Sequence, residues 1–219
     1  MPSMLYVEDK VTVEDLRLLR SRVQARVPSE IPALDHVLRI YGKKTRVAQW
    51  NHDNLRDLQA PIVIALASNE GAAIAKTMHA TSEEAGNPHA SLPLAIGSRV
   101  MLRGNIRIEC GPVNGALGTV RDIVWNSGVH WQAREAPVAV LVCFDHYSGP
   151  AGSFATGNHG DFLIPIFRSR CEFYRGPAMC ARTQFPITTA VHKAQDITVI
   201  KAVMDITRAA SQLNGKHLG

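Results

Sequence analysis

In the segment TTAVHKAQDITV (residues 188–199), His192, Lys193 and Gln195 lie within four positions of one another, just ahead of an apolar run. Lysine offers a mobile cation, histidine a second donor and glutamine a neutral amide. On a loop before a strand, the three can donate to phosphate oxygens. The same residue types also make ordinary solvated loops, so alone they leave both readings open. Asp196 opposes the first, because its carboxylate repels a phosphate.

Other chemistries find less support. No GxxxxGK[ST] loop is present, because Gly215 and Lys216 are followed by His217. No serine nucleophile elbow and no HExxH occur. The glycines of GPVNGALGTV (111–120) precede a strand-like run rather than a helix, which favours a turn over a phosphate cradle. Cys110, Cys143, Cys171 and Cys180 have neither CxxC nor zinc-finger spacing. They read as reduced, partly buried thiols, and no metal site is expected.

Composition sets the frame for these groups. The chain has 219 residues, 46% apolar, with a net charge of +5, enough for one large domain or two small ones and compatible with a polyanionic partner. The longest apolar runs, at 60–67 and 136–144, are too short to span a bilayer. The N-terminus lacks the features of a signal peptide and no N-glycosylation sequon occurs, so the expectation is an intracellular protein that is not secreted.

Several elements can position the candidate groups. Thr12 followed by VEDLRLLRSRV, with Asp15 three residues on, predicts a capped helix with Leu16, Leu19 and Val23 on one face. Residues 36–41 read as a short strand and 45–58 as a helix stopped before Pro61. IVIALAS (62–68) reads as a buried strand. Residues 71–93 show no clear period and read as a connection. From Leu94 onward, short β-like runs (SRVMLRG, GTVRDIVW, VAVLVCFD, FLIPIF) alternate with turn residues, which predicts a small SH3- or OB-like barrel. TVIKAVMDI (198–206) then returns to a buried-strand pattern. The expected fold class is α/β with the barrel inserted.

The order of these segments resembles the C-terminal half of the Pif-like and RecD-like DNA helicases of superfamily 1B, a family whose Pif-like members are abundant in fungi. TVEDLRLLRSR resembles the linker after the third motif. TRVAQWNHDNLRDLQAP is similar to the family's V…N…L…L…P segment. LAIGSRVMLRGNIRIECGPVNGALGTVRDIVW resembles its VML…VNG block, and VCFDHYSGP and RTQFPI also fit. AVHKAQDITVIKAVMDI resembles motif V, TxHKxQGxT followed by a strand ending in Asp. The resemblance is collinear over about residues 10–206.

The resemblance implies a partial second RecA-like domain with an inserted SH3-like 2B barrel. It divides the chain into residues 1–93 (N-terminal part of RecA-like domain 2 with linker), 94–180 (the insertion) and 181–219 (return to RecA-like domain 2, with motif V). It places His192, Lys193, Gln195 and Thr198 beside the DNA backbone and nucleotide cleft, and marks Asn51, Arg103 and Asn105 as possible DNA contacts. For Asn51, a helix residue bonded to nearby backbone is an equal alternative. The intact family uses ATP and Mg2+, acts 5′ to 3′ on DNA, and works in repair, recombination and telomere maintenance, in nucleus or mitochondrion. Single-stranded DNA and an N-terminal RecA-like domain are the implied partners, with no membrane.

The chain departs from that pattern. It lacks the ATP-binding lysine, the magnesium-binding acid and the motif VI arginine, so no catalytic set is complete. It has about four fewer residues than the family before His192, and Asp196 replaces a glycine. Phosphoryl transfer depends on exactly the electrostatic groups that are missing, so neither ATP nor Mg2+ is expected to bind this chain alone, and no ATPase or helicase activity is expected of it. A competing reading is a non-enzymatic nucleic-acid-binding module built on the barrel, with Arg99, Arg103, Arg107, Arg168, Arg170 and Arg175 lining a groove and Trp125, Trp131 and Tyr147 stacking on bases. The alternatives there are a solvated arginine rim and aromatic core packing. A protein-interaction adaptor ranks last.

Overall fold

The computed structural model describes residues 12–23, 26–34, 38–71, 78–82, 84–85, 88–106, 108–126, 136–149, 162–189 and 202–205. The chain divides into two units: residues 1–39 with 199–204, and residues 40–198 with 205–219.

In the first unit, helix α1 (Val13–Ser21) begins at the expected cap. The Asp15 N–H donates to Thr12 Oγ1 at 3.1 Å, and the Thr12 N–H donates to Asp15 Oδ2 at 2.8 Å. These reciprocal bonds satisfy two of the donors left over at a helix start. Leu16, Leu19 and Val23 are all exposed, and α1 buries no residue. Arg22 pairs with Glu30 in the 3-10 stretch Pro28–Leu34. Strand β1 (Leu38–Tyr41) pairs with a strand at Ala202–Asp205, and the division between the units falls within both strands. Met204 of that strand is 64% exposed, so its described part is not the buried strand expected.

In the second unit, α2 (Lys44–Asp57) buries Val47 and Leu55, and its Trp50 ring lies 6.4 Å from Tyr41. Strands then follow as β2 (Val63–Leu66), β3 (Ser68–Gly71), β4 (Ser91–Leu94), β5 (Arg99–Leu102), β6 (Leu117–Val124), β7 (Ala139–Phe144), β8 (Ile164–Phe167), β9 (Ser169–Arg175), β10 (Ala178–Gln184) and β11 (Ile187–Thr188). They make a five-stranded sheet in the order β11-β5-β6-β7-β8, a three-stranded sheet β3-β10-β9 and the pair β2-β4. All these pairings are antiparallel.

The mixed α/β class and most of the β-like runs are as expected. A closed barrel is not formed among the described residues. The edge strands β8 and β11 do not pair with each other. Each instead continues, across one or two residues, into the three-stranded sheet: β8 through Arg168 into β9, and β11 back through Phe185 and Pro186 into β10. Similarly, β2 runs through Ala67 into β3. Strands that change sheets at a bend make corners between packed sheets.

Polar side chains lock the corner. Gln184, fully buried, donates from Nε2 to the Ala65 carbonyl (2.9 Å) and the His89 carbonyl (3.3 Å). Its Oε1 accepts the Phe185 N–H (3.0 Å). Arg168 donates to the carbonyls of Leu66 (3.0 Å) and Thr183 (2.8 Å). Around this corner packs one apolar core, including Leu92, Leu94, Leu102, Val120, Val140, Ile166 and Phe185. Each such side chain contributes roughly 1.5–3 kcal/mol when fully buried. Gly118 in β6 is required there, because a Cβ would come within 2.6 Å of Val142 and 2.8 Å of the Cys143 carbonyl. The four cysteines are free thiols.

Two expectations fail for physical reasons. The run at 62–68 is not buried on both faces. Among the described residues Ala65 is buried, while Ile62, Ile64 and Leu66, on the opposite face, are exposed. The 71–93 connection contains part of β3, all but one residue of β4, and a turn in which Thr81 and Glu84 exchange bonds. Pro93 hides β4 from sequence reading. It is tolerated because β4 has a single strand partner and needs no second ladder. The Thr81–Glu84 turn seats Ala80 and Ala85 against Phe173 and Cys180.

Replacing Gln184 with methionine keeps the volume but orphans two buried carbonyls and an N–H. The expected loss is about 2–4 kcal/mol, read as a lowered midpoint in urea unfolding. The Glu84 carboxyl is held below the usual range by the Thr81 N–H and then by Arg175. Its contribution is therefore present above the ordinary carboxylate pKa and is lost as pH falls through the lower folded value. The melting temperature of the wild type should drop more steeply than that of Glu84→Gln between about pH 5 and pH 3.

Candidate nucleic-acid interface

Arg103 and Asn105 follow β5 directly, and the β5–β6 connection holds both. The Leu102 N–H donates to the Ala116 carbonyl (2.9 Å), and the Gly115 N–H returns to the Leu102 carbonyl (2.8 Å). Gly115, at φ 95°, takes the left-handed conformation that this closure requires. The glycine-rich stretch is therefore a turn leading into β6 and not the mouth of a helix. Asn105 Oδ1 accepts the Asn114 N–H at 2.8 Å. Its amide oxygen braces the turn, which leaves the amide NH2 as the donor for a ligand. Arg103 donates its backbone N–H to the Pro186 carbonyl (2.8 Å), and its Nη1 lies 2.8 Å from His89 Nε2.

Asn51 lies half-buried on α2 and makes no side-chain hydrogen bond among the described residues. The start of α2, though expected as a helix, was not among the candidate sites. Lys43 caps it without a side-chain bond, no acid stands in its first turn, and Lys43 and Arg46 are exposed. First-turn N–H groups and two cations suit an anion electrostatically. The signal was present in the run GKKTR, just after a strand.

Of the groove arginines, Arg99, Arg168, Arg170 and Arg175 are bonded to other groups of the fold. Arg99 makes a two-pronged pair with Asp145, at 2.7 and 2.5 Å, and bonds Thr119. Arg170 pairs with Glu70 and Glu172, and Glu172 is the main cause of its raised pKa. Arg175 pairs with Glu84 at 3.0 Å. Arg168 is spent on the corner, where burial lowers its pKa. Arg182, which sequence reasoning did not single out, is fully buried and bonds Asn69 and the Pro88 carbonyl. Burial, then the charge of Arg175, lowers its pKa. Tyr147 packs against Phe162, ring centres 5.5 Å apart, and against the core, and Trp125 is half-buried. Of the proposed groove and stacking residues, Arg107 and Trp131 lie outside the described residues.

His192, Lys193, Gln195 and Thr198, with Asp196, also lie outside the described residues. Among the described residues, no three His, Cys, Asp or Glu side chains group as metal ligands, and no helix is long and apolar enough to cross a membrane.

No protein-family model and no curated protein matches the chain. Solved structures do. The chain is similar to the Pif1 helicase from Candida albicans at 20% identity and a TM-score of 0.55, over 78% of this chain and 40% of that one. It is similar to Bacteroides sp Pif1 in complex with ADP-AlF4 at 21% identity and a TM-score of 0.54, over 91% and 40%. It is also similar to Bacteroides Pif1 in complex with ADP-AlF3 and single-stranded DNA at 20% identity and a TM-score of 0.51, over 89% and 39%. The chain thus has a Pif1-like helicase fold and spans about 40% of the length of these structures.

Asn105→Ala removes the acceptor for a turn N–H. The expected cost is about 1 kcal/mol in unfolding free energy, with faster hydrogen exchange at the Asn114 amide.

Proposed function

We propose that this chain is the C-terminal part of a Pif-like, ATP-dependent 5′–3′ DNA helicase and supplies contacts to single-stranded DNA and one wall of the nucleotide cleft. The observation that carries the reading is the likeness of fold to Pif1 helicases over most of the chain, beside the resemblance of its VML…VNG block and HKxQ loop to the family's motifs. In this reading residues 1–93 and 181–219 belong to the second RecA-like domain, and 94–180 form an SH3-like insertion. His192, Lys193, Gln195 and Thr198 form the motif V loop, while Asn51, Arg103 and Asn105 add donors for the DNA backbone. ATP and Mg2+ belong to the intact enzyme, in nucleus or mitochondrion, and the phosphate-binding lysine and metal acid come from an N-terminal RecA-like domain. The exposed row Ile62, Ile64 and Leu66 on β2 is consistent with a face that another domain covers. The stand-alone module reading has less support, because Arg99, Arg168, Arg170 and Arg175, four of the arginines meant for its groove, are bonded to carboxylates or carbonyls.

The test is titration of labelled oligothymidylate at several salt concentrations. Binding should weaken with salt, with a log–log slope of roughly 0.7 per neutralised phosphate. His192→Ala with Lys193→Ala should reduce that slope, and Asp196→Gly should strengthen binding. DNA-stimulated ATP hydrolysis by the chain alone should be zero; a robust rate would refute the assignment of the catalytic groups to another segment.

A further inference from the structure

Asn114 and Gly115 form an Asn–Gly pair in the β5–β6 connection, with Asn114 exposed. Such a pair can modify itself. The glycine nitrogen, once it has lost its proton, attacks the asparagine Cγ; a C–N bond forms there and the side-chain nitrogen leaves as ammonia. Water then opens the resulting succinimide. Cleavage at Cγ gives aspartate, and cleavage at the backbone carbonyl gives isoaspartate, with the chain rerouted through Cγ. Glycine has no Cβ to crowd the attack. The fold restrains this pair at three points. The Ala116 N–H donates to the Val113 carbonyl at 2.9 Å, with Gly115 at φ 95° and Asn114 at negative φ, the pattern of a type II turn. The Gly115 N–H donates to the Leu102 carbonyl, and the Asn114 N–H to Asn105 Oδ1, both at 2.8 Å.

We propose that Asn114 is a self-modification site gated by this turn: the closed turn withholds the attacking nitrogen, and opening it converts Asn114 to aspartate or isoaspartate, which sets a carboxylate into the candidate nucleic-acid interface. The second half rests on the reading of Asn105 as a contact to single-stranded DNA. Donation to the Leu102 carbonyl keeps the proton on the Gly115 nitrogen and fixes the peptide between residues 114 and 115. Ring closure requires that nitrogen to lose its proton and that peptide to turn out of the bond. The reaction therefore runs from the open form of the turn, whose population is set by the bonds that fasten it to β5 and to Asn105. With the ammonia gone the change does not reverse. The new carboxylate repels a phosphate, and isoaspartate adds a backbone carbon to the turn that Asn105 braces.

The full chain is incubated at pH 8, folded and in urea, and the peptide carrying Asn114 is followed by mass spectrometry, with chromatography to separate aspartate from isoaspartate. In the folded chain Asn114 should react about tenfold or more slowly than in urea. Asn105→Ala removes an acceptor of the turn and should raise the folded rate by about three- to tenfold, while Asn105→Asp keeps an acceptor oxygen and should leave it near wild type. Labelled oligothymidylate should bind Asn114→Asp about two- to tenfold more weakly than wild type. Equal rates at Asn114 in the folded and urea-unfolded chains overturn the gate, and so do equal rates in the two Asn105 variants. The first comparison uses the wild type alone and holds even if Asn105→Ala does not fold. If the wild type binds DNA and Asn114→Asp binds it equally well, the consequence for DNA falls and the helicase reading stands. If the wild type binds no DNA, the helicase reading has failed and the DNA half of the proposal falls with it, while the rates still decide the gate.

Discussion

The fold of the larger unit depends on a buried glutamine. Three strand runs bend at one corner and change sheets there, and each bend interrupts the backbone ladder. The groups freed by those bends need partners out of reach of water. Gln184 supplies two donors' worth of bonding from one amide nitrogen and an acceptor from its oxygen. Arg168 adds bonds to carbonyls on both sides. A buried polar group without a partner costs more than a typical bond contributes, so the corner stands only when all its members are present. The apolar core can then form on the inside of the bend, where Leu92, Leu94, Phe185 and Ile187 meet.

The basic composition invites a polyanion, yet most described arginines near the sheets serve the fold. Arg170 holds Glu70, Arg175 holds Glu84, and Arg99 holds Asp145. Each pair joins segments distant in the chain. Exposed pairs of this kind contribute little stability individually, but they remove the cations from any simple count of surface charge. Among the described residues, Lys43 and Arg46 at the start of α2 are exposed cations outside these pairs.

Local signals were legible wherever the chemistry is local. The Thr12 cap, α2, and strands β5 to β8 follow from capping and periodicity. The turn at 111–118 follows from its glycines and the strand after them. Failures occurred where distant residues decide. β4 carries a proline that only its edge position excuses. Arg182 looks like a surface residue until Asn69 and Pro88 are folded over it. Barrel closure depends on how β8 and β11 leave their sheet, which no local pattern records. Of the candidate site, Asn105 was marked through the family resemblance, and the fold bonds its side chain to Asn114 in the VNG run.

The β3–β10 ladder has a consequence for the order of assembly. Arg182 and Asn69, bonded across that ladder, stand 113 residues apart in the chain, and Gln184 and Ala65 stand 119 apart. Closing a loop of that length adds only modest entropy relative to a shorter one, but pairings so distant are slow to find. On the ribosome, β2 and β3 emerge long before the strand that completes them. At roughly 5–20 residues per second, the edge of β3 waits for several seconds for its partner β10. The interval favours capture by a chaperone, and it makes the nascent chain, more than the finished one, the form most exposed to misassembly.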